Sequence, residues 1–305
     1  MIAIPPTMTL DEARSGGIAG SANGQVVVWC TPSVAERLRA MIAWVVSTDQ
    51  PTLTAGTAWL IAVGGGTLID KAKVLRSQHP NVKLAALPTL WGSGAEASPI
   101  AVLNEDGKKV IRMGSEMLPD RIIAHPQFAQ TLPDELIRHA CGDTWSHALE
   151  GFLSPLGGDE SRADLAVVMK RMLKLPIGFA PEWFEASALA CAGQARTSVG
   201  LVHGVAHSLE HITLWGHAKL CSLFLLPVMR FNQANSLKWP FLDAHGLSED
   251  EVFGVLRHFF DERAYAAVLP VLKSNWMKVL RDPCSRTNSA LVRPADLEFF
   301  ESFRP

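Results

Sequence analysis

The chain reads as an α/β N-terminal domain on a doubly wound, mostly parallel sheet, followed by an all-α C-terminal domain, and three observations carry that reading. Up to about residue 128 short apolar runs alternate with helical stretches, the pattern of strands joined by crossover helices. A turn of three glycines, Gly64-Gly65-Gly66, separates one apolar run from a helical segment. After Leu132-Pro133-Asp134-Glu135, where a proline and two acids make a good helix start, the pattern becomes helix after helix. The expected domains are therefore residues 1–128 and 129–305.

In chain order, VVVWC at 26–30 reads as a strand, VAERLRAMI at 34–42 as a helix, and AWVV at 43–46 and WLIAV at 59–63 as strands. TLIDKAKVL at 67–75 opens a helix, and VKLAALP at 82–88 and RIIA at 121–124 return to the sheet. The second half gives helices in ELIRHACGDTWSHALEGFL, SRADLAVVMKRMLKL, SEDEVFGVLRHFF and AYAAVLPVLKSNWMKVL, with SPLGGDES at 154–161 as the one linker-like stretch. The tryptophans read as core and pocket wall.

Composition narrows the function classes. With 305 residues, 48% of them hydrophobic, the chain can build two domains with ample cores. A net charge of −2 gives no electrostatic reason to bind nucleic acid. Five cysteines, Cys30, Cys141, Cys191, Cys221 and Cys284, are scattered with no C-x-x-C pair, which argues for a reducing compartment and against a disulfide framework or structural zinc site. The opening MIAIPPTMTLDEARSGG lacks the basic end and apolar core of a signal peptide, and no run of eighteen uncharged apolar residues predicts a membrane span. The expected setting is the cytoplasm.

Two groups of residues carry chemistry. Strand, glycine turn and helix over 59–75 form a phosphate cradle, because glycines let the backbone approach a diphosphate and the helix N-terminus offers free N–H groups. A second glycine-polar turn, in LAALPTLWGSGAEAS at 84–98, follows the next strand. Farther on, Asp143 and His147 are four apart in a helical segment, and His203, His207 and His211 repeat that spacing before His217. An unbroken helix, rising about 1.5 Å per residue, would put His203 and His217 roughly 21 Å apart, too far for one ion. The chain must turn back, and Gly216 is the expected helix stop. One carboxylate and several imidazoles suit Fe(II), Zn(II) or another first-row divalent ion.

These motifs, in this order, resemble the iron-containing (metal-dependent) alcohol dehydrogenase family. GGGTLIDKAK at 64–73 is similar to its GGGS-x-x-D-x-x-K element and LPTLWGSGAEAS at 87–98 to its second cofactor loop. The segments at 118–155, 200–232 and 282–300 are similar to its inter-domain segment with the first metal helix, its second metal region and its C-terminal end. The resemblance implies a Rossmann-like domain and a helical domain in a dehydroquinate synthase-like fold. It implies a divalent metal, Fe2+ or Zn2+, on Asp143, His147, His203 and His217, with His207 relaying protons and His211 outside the site. NAD or NADP would lie on Gly64, Gly65, Gly66, Thr67, Asp70, Thr89, Gly92 and Ser93. Asp70 would orient the nicotinamide end or serve its own helix start. The implied reaction is hydride transfer between NAD(P)H and a small aldehyde or ketone. The implied partners are that substrate and a second copy of the chain, with no nucleic acid and no membrane.

Departures from the family pattern set further expectations. The stretch before the glycine turn is short, with room for a loop but hardly for a helix, so the adenosine half is trimmed. The first strand ends in Trp29-Cys30-Thr31-Pro32 where an acidic residue would hold the adenosine ribose, which leaves NAD and NADP both open. ART at 195–197 and CSLFLLP at 221–227 weakly resemble phosphonoacetaldehyde reductases, and Arg196 and Lys219, near His203 and His217 in sequence, predict an anionic substrate such as phosphonoacetaldehyde. The alternatives are a metal-dependent lyase or synthase of the dehydroquinate synthase type, and a non-catalytic relic that has lost dinucleotide binding.

Overall fold

A computed structural model describes residues 2–18, 24–105 and 108–305. Its contacts divide into one unit of residues 3–132 and another of 133–305 with Ile2. In chain order the first unit holds β1 (Thr7–Thr9), the short turn α1 (Leu10–Glu12), β2 (Gln25–Cys30), α2 (Pro32–Met41), β3 (Val45–Ser47) and β4 (Thr57–Gly64). It continues through α3 (Gly66–Ser77), β5 (Lys83–Pro88), β6 (Ile100–Glu105), β7 (Lys108–Met113) and β8 (Arg121–Ala124). Six strands form one parallel sheet in the order β1-β8-β5-β4-β2-β3, and β6 and β7 pair as an antiparallel hairpin.

The continuous apolar runs are explained by burial on both sheet faces. Along β4, Trp59, Ile61 and Val63 pack with Val34 and Leu38 of α2. Alternate residues Leu60 and Ala62 pack with Leu68, Ile69 and Ala72 of α3. No helix forms over residues 48–56 between β3 and β4, as the short stretch there predicts. The contacts divide after Leu132, four residues beyond the boundary expected at 128. Phe128 sits in the sheet core, and Arg37 of α2 holds the following segment by donating to the Gln127 carbonyl (3.0 Å) and to Thr131 Oγ1 (3.1 Å).

The hairpin is pinned to α3 by a buried charge network. Lys73 is fully buried, and its Nζ donates to Asp70 Oδ1 (2.9 Å) and to the Ile100 carbonyl (2.7 Å). Asp70 Oδ2 accepts from the Val102 N–H (3.0 Å). Glu96, 2% exposed, lies in the same neighbourhood, and burial pushes its carboxyl up to about 7 against the pull of Lys73. The folded chain therefore keeps a proton that the unfolded chain releases near its ordinary value of 4.5. Stability should fall as pH rises through that window, by on the order of 3 kcal/mol in total. Glu96→Gln removes the ionisable group, so its urea-denaturation stability should be flatter there. Identical pH slopes for the two proteins would refute this.

The second unit is helical: α4 (Asp134–Leu153), α5 (Asp159–Met172), α6 (Glu182–Gln194), α7 (Leu201–Leu209), α8 (His217–Asn235), α9 (Phe241–Ala244), α10 (Glu249–Arg257), α11 (Glu262–Arg281), α12 (Pro283–Arg286) and α13 (Leu297–Ser302). Among the described residues, no helix is long and apolar enough to cross a membrane. A side chain at Gly142 of α4 would meet Ser222 of α8, its Cβ 2.9 Å from the serine Cα. The bare glycine lets the two helices approach closely, which brings Asp143 and the start of α8 together.

Candidate functional site

Three helices build a cluster of metal-binding donors in the helical unit. Asp143 comes from α4, His203 from α7, and His217 and Cys221 from the first turns of α8. One ligand atom from each of these four lies within 4.8 Å of all the others. His217 Nε2 is 3.9 Å from Asp143 Oδ1 and 3.4 Å from Cys221 Sγ. His147 stands beside the group, its Nε2 3.9 Å from Asp143 Oδ1 and its ring centroid 4.5 Å from that of His203. The structure thus brings together all four expected ligands, Asp143, His147, His203 and His217, but the tightest set has Cys221 in place of His147. The signal for Cys221 was legible: it follows His217 by four residues, the spacing that joins Asp143 to His147.

Carboxylates behind the imidazoles set their orientation. His203 Nδ1 donates to Glu150 Oε2 (2.7 Å), whose other oxygen accepts from the Val202 N–H at the start of α7 (2.6 Å). His217 Nδ1 donates to Glu210 Oε2 (3.0 Å). Each Nδ1–H is therefore engaged and each Nε2 keeps its lone pair, the tautomer a cation needs. Glu150 and Glu210 did not emerge from the sequence, because neither has a spacing relation to the histidine it holds. Burial pushes the Glu150 carboxyl up to about 7 against the backbone N–H groups of Gly200, Val202 and His203. Burial and the neighbouring His203 hold the His147 imidazole down to about 3, so it is neutral at physiological pH.

The turn between the two helices differs from expectation. Helix α7 ends at Leu209, and Gly216 is the N-cap of α8, so Gly216 starts the second helix and does not stop the first. His211 lies in the intervening turn, 3.2 Å from Glu210, outside the cluster. His207 stacks on His217 with ring centroids 5.4 Å apart, and its Nδ1 is 3.6 Å from Asp282 Oδ2 and 3.7 Å from Cys284 Sγ.

The expected substrate cations are corrected. Arg196 binds Asp164 (2.9 Å) and Glu160 (3.4 Å), both on α5. Lys219 binds Glu135 on α4 (3.1 Å) and lies over the Trp215 ring. His217, at the first position of α8, points to the cluster, and Lys219, two residues on, falls on a different helix face. With both cations held by carboxylates outside the donor cluster, the residue basis for an anionic substrate is gone. Asp70 is likewise engaged, with one oxygen on Lys73 and the other on the Val102 N–H, so its contacts anchor the hairpin, and it lies beyond the first turn of α3, which removes the helix-start role.

In the sheet unit the two glycine-bearing turns leave neighbouring strands side by side, with Gly64 of β4 in register with Pro88 of β5. The Thr89 N–H donates to the Gly64 carbonyl (3.1 Å), which ties the turns together. No side chain caps α3, whose N-cap is Gly65. A Cβ on Gly65 would meet nothing within 4 Å, whereas one on Gly66 would lie 2.8 Å from Ser93 Cβ. The space in front of Gly65 is thus open, and Gly66 is what lets the second turn close on the first. Thr67 is exposed, Thr89 and Ser93 are half-buried and Gly92 is buried, all within these two turns.

Comparison with known proteins agrees with this architecture. Residues 53–126 match the family model described as iron-containing alcohol dehydrogenase. The chain is 28% identical over 193 residues to 1-propanol dehydrogenase PduQ of Salmonella typhimurium, covering 57% of this chain and 51% of that protein. The chain spans about half the length of most of the curated relatives it matches. Among solved structures, an iron-containing alcohol dehydrogenase from Thermococcus thioreducens superposes with a TM-score of 0.73 at 20% identity, over 99% of this chain and 98% of that one. Sulfoacetaldehyde reductase from Bifidobacterium kashiwanohense, solved with NAD+, gives 0.75 at 18% identity over 100% and 99%. At these identities the two structures establish the fold.

Proposed function

We propose that the chain is a member of the iron-containing alcohol dehydrogenase family, whose model matches residues 53–126, and that it transfers hydride between NAD(P)H and a small aldehyde or ketone. The observation that carries the proposal is the donor cluster with its oriented imidazoles. Asp143 is 2% exposed, and its Oδ1 has no hydrogen-bond partner among the described residues; nor does His147 Nδ1. Buried polar atoms in that state are costly unless a cation or water satisfies them, so the residues fit a divalent ion. Asp143, His203 and His217 would hold it, with His147 against them. When bound, the ion supplies Lewis acidity toward a carbonyl oxygen.

The chain's own residues do the rest. Glu150 and Glu210 fix the imidazole tautomers of His203 and His217. His207, stacked on His217 and backed by Asp282, is placed to move the proton that the substrate oxygen gains or loses. Gly65 and the uncapped start of α3 receive the cofactor diphosphate. The relatives matched are dehydrogenases and reductases, which does not favour the synthase alternative. A cytoplasmic setting and a homodimer belong to the same proposal; five buried cysteines outside any disulfide suit a reducing compartment.

The test is a screen of neutral and anionic aldehydes with metal-loaded protein, following NADH and NADPH oxidation. Beside it, Gly65→Val should weaken nucleotide binding at least about tenfold by blocking the phosphate approach, a loss of about 1.4 kcal/mol. Metal content should be unchanged. The same change at Gly66 is unsuitable, because the clash with Ser93 would disturb the turns themselves. Unaltered nucleotide affinity in Gly65→Val would put the cofactor elsewhere.

A further inference from the structure

We propose that Cys221 is a ligand of the same ion as Asp143, His203 and His217, so that this site carries a sulfur donor. The inference rests on reading the cluster as a metal centre and goes beyond it by assigning the fourth donor from geometry. In a tetrahedral site with bonds of about 2.0–2.3 Å, ligand atoms stand roughly 3.3–3.8 Å apart. Cys221 Sγ is 3.4 Å from His217 Nε2, inside that range, and belongs to a set of four donors whose atoms lie within 4.8 Å of one another.

Three features of the fold put the sulfur there. Cys221 is fully buried and lies one helical turn after His217, so both side chains leave the same face of α8. The close approach of α4 and α8 at Gly142 and Ser222 sets Asp143 opposite that face, because Ser222 adjoins Cys221 and Gly142 adjoins Asp143. Asp143 Oδ1, buried and without a hydrogen-bond partner among the described residues, supplies an acceptor for a cation at the same point. On binding, the Cys221 thiol loses its proton to solvent and its sulfur lone pair forms the bond to the ion, with no change of oxidation state. A thiolate donor moves the site's preference toward zinc and cobalt and away from harder ions such as manganese and magnesium.

The test uses the full chain, stripped of metal under reducing conditions and loaded with Co(II), with the ion counted by elemental analysis. Wild type should bind one Co(II) and show an intense near-ultraviolet thiolate-to-cobalt charge-transfer band. Cys221→Ser and Cys221→Ala should lose the band, and Cys284→Ser should keep it. Stoichiometric Co(II) without the band in wild type, or a band that survives in the Cys221 variants, would overturn the sulfur ligand while leaving the metal centre standing. No Co(II) uptake by wild type would overturn the metal centre and the proposal with it. If the Cys221 variants do not fold, X-ray absorption of zinc-loaded wild type decides: a sulfur neighbour at about 2.3 Å supports the ligand, and only nitrogen and oxygen neighbours reject it.

Discussion

His217→Ala is expected to yield a folded protein that holds no stoichiometric divalent ion and has no reductase activity. His217 opens α8, its Nε2 faces Asp143 and Cys221, and its Nδ1–H is fixed by Glu210. Losing only a hydrogen bond behind a ligand costs about 10–100-fold in metal affinity. Losing the ligand itself removes a donor and leaves the remaining carboxylate and imidazole to face water that enters in its place. The fold should survive, since the His217 side chain is 31% exposed and its truncation leaves little cavity. In metal-free protein the stability change should stay within about 1 kcal/mol. Elemental analysis beside a urea melt separates the two effects. Full metal occupancy in the variant would remove His217 from the site.

How much of this was legible in the sequence follows from the range of each interaction. The sheet strands over 26–30, 59–63, 82–88 and 121–124 and the long helices announce themselves because their signals are local: apolar runs, a glycine turn, and prolines and acids at helix starts. Asp143 and His147 drew attention as an i, i+4 pair within one helix and His203 and His217 through the forced reversal between two, and the resemblance in motif order joined them into one ligand set. Strand β1 was not read, since three residues carry no period. The β6–β7 hairpin was missed although Asp106-Gly107 is a hairpin signal in the sequence. Glu150 lies fifty-three positions from His203 and is joined to it only by the packing of α4 on α7. Arg196 and Lys219 were misplaced for the same reason: nearness to a ligand in sequence says nothing about which helix face a side chain leaves, and their acids lie on α5 and α4.

Lys73→Met is expected to destabilise the sheet unit by about 3–5 kcal/mol, the cost of removing one partner of a buried ion pair. The ammonium of Lys73 is fully buried, and no water can replace it easily between Asp70 and the Ile100 carbonyl. Without it the Asp70 carboxylate, 8% exposed, keeps only the Val102 N–H. Burial already pushes the Asp70 carboxyl up, and Lys73 is the largest influence pulling it back. Removing Lys73 raises that carboxyl further. An acid whose folded value lies above its unfolded one loses stability as pH rises, so the variant should be worst at neutral pH and should recover toward acid. Asp70→Asn in the Lys73→Met background removes the stranded charge and should restore most of the loss, giving a large coupling in the double-mutant cycle. The same Asp70→Asn change in otherwise wild-type protein separates the two readings of this residue. If Asp70 only pins the hairpin to α3, the variant keeps its kcat with both nicotinamide cofactors; if kcat collapses in stable, metal-loaded protein, Asp70 acts on the cofactor and the buried network is secondary.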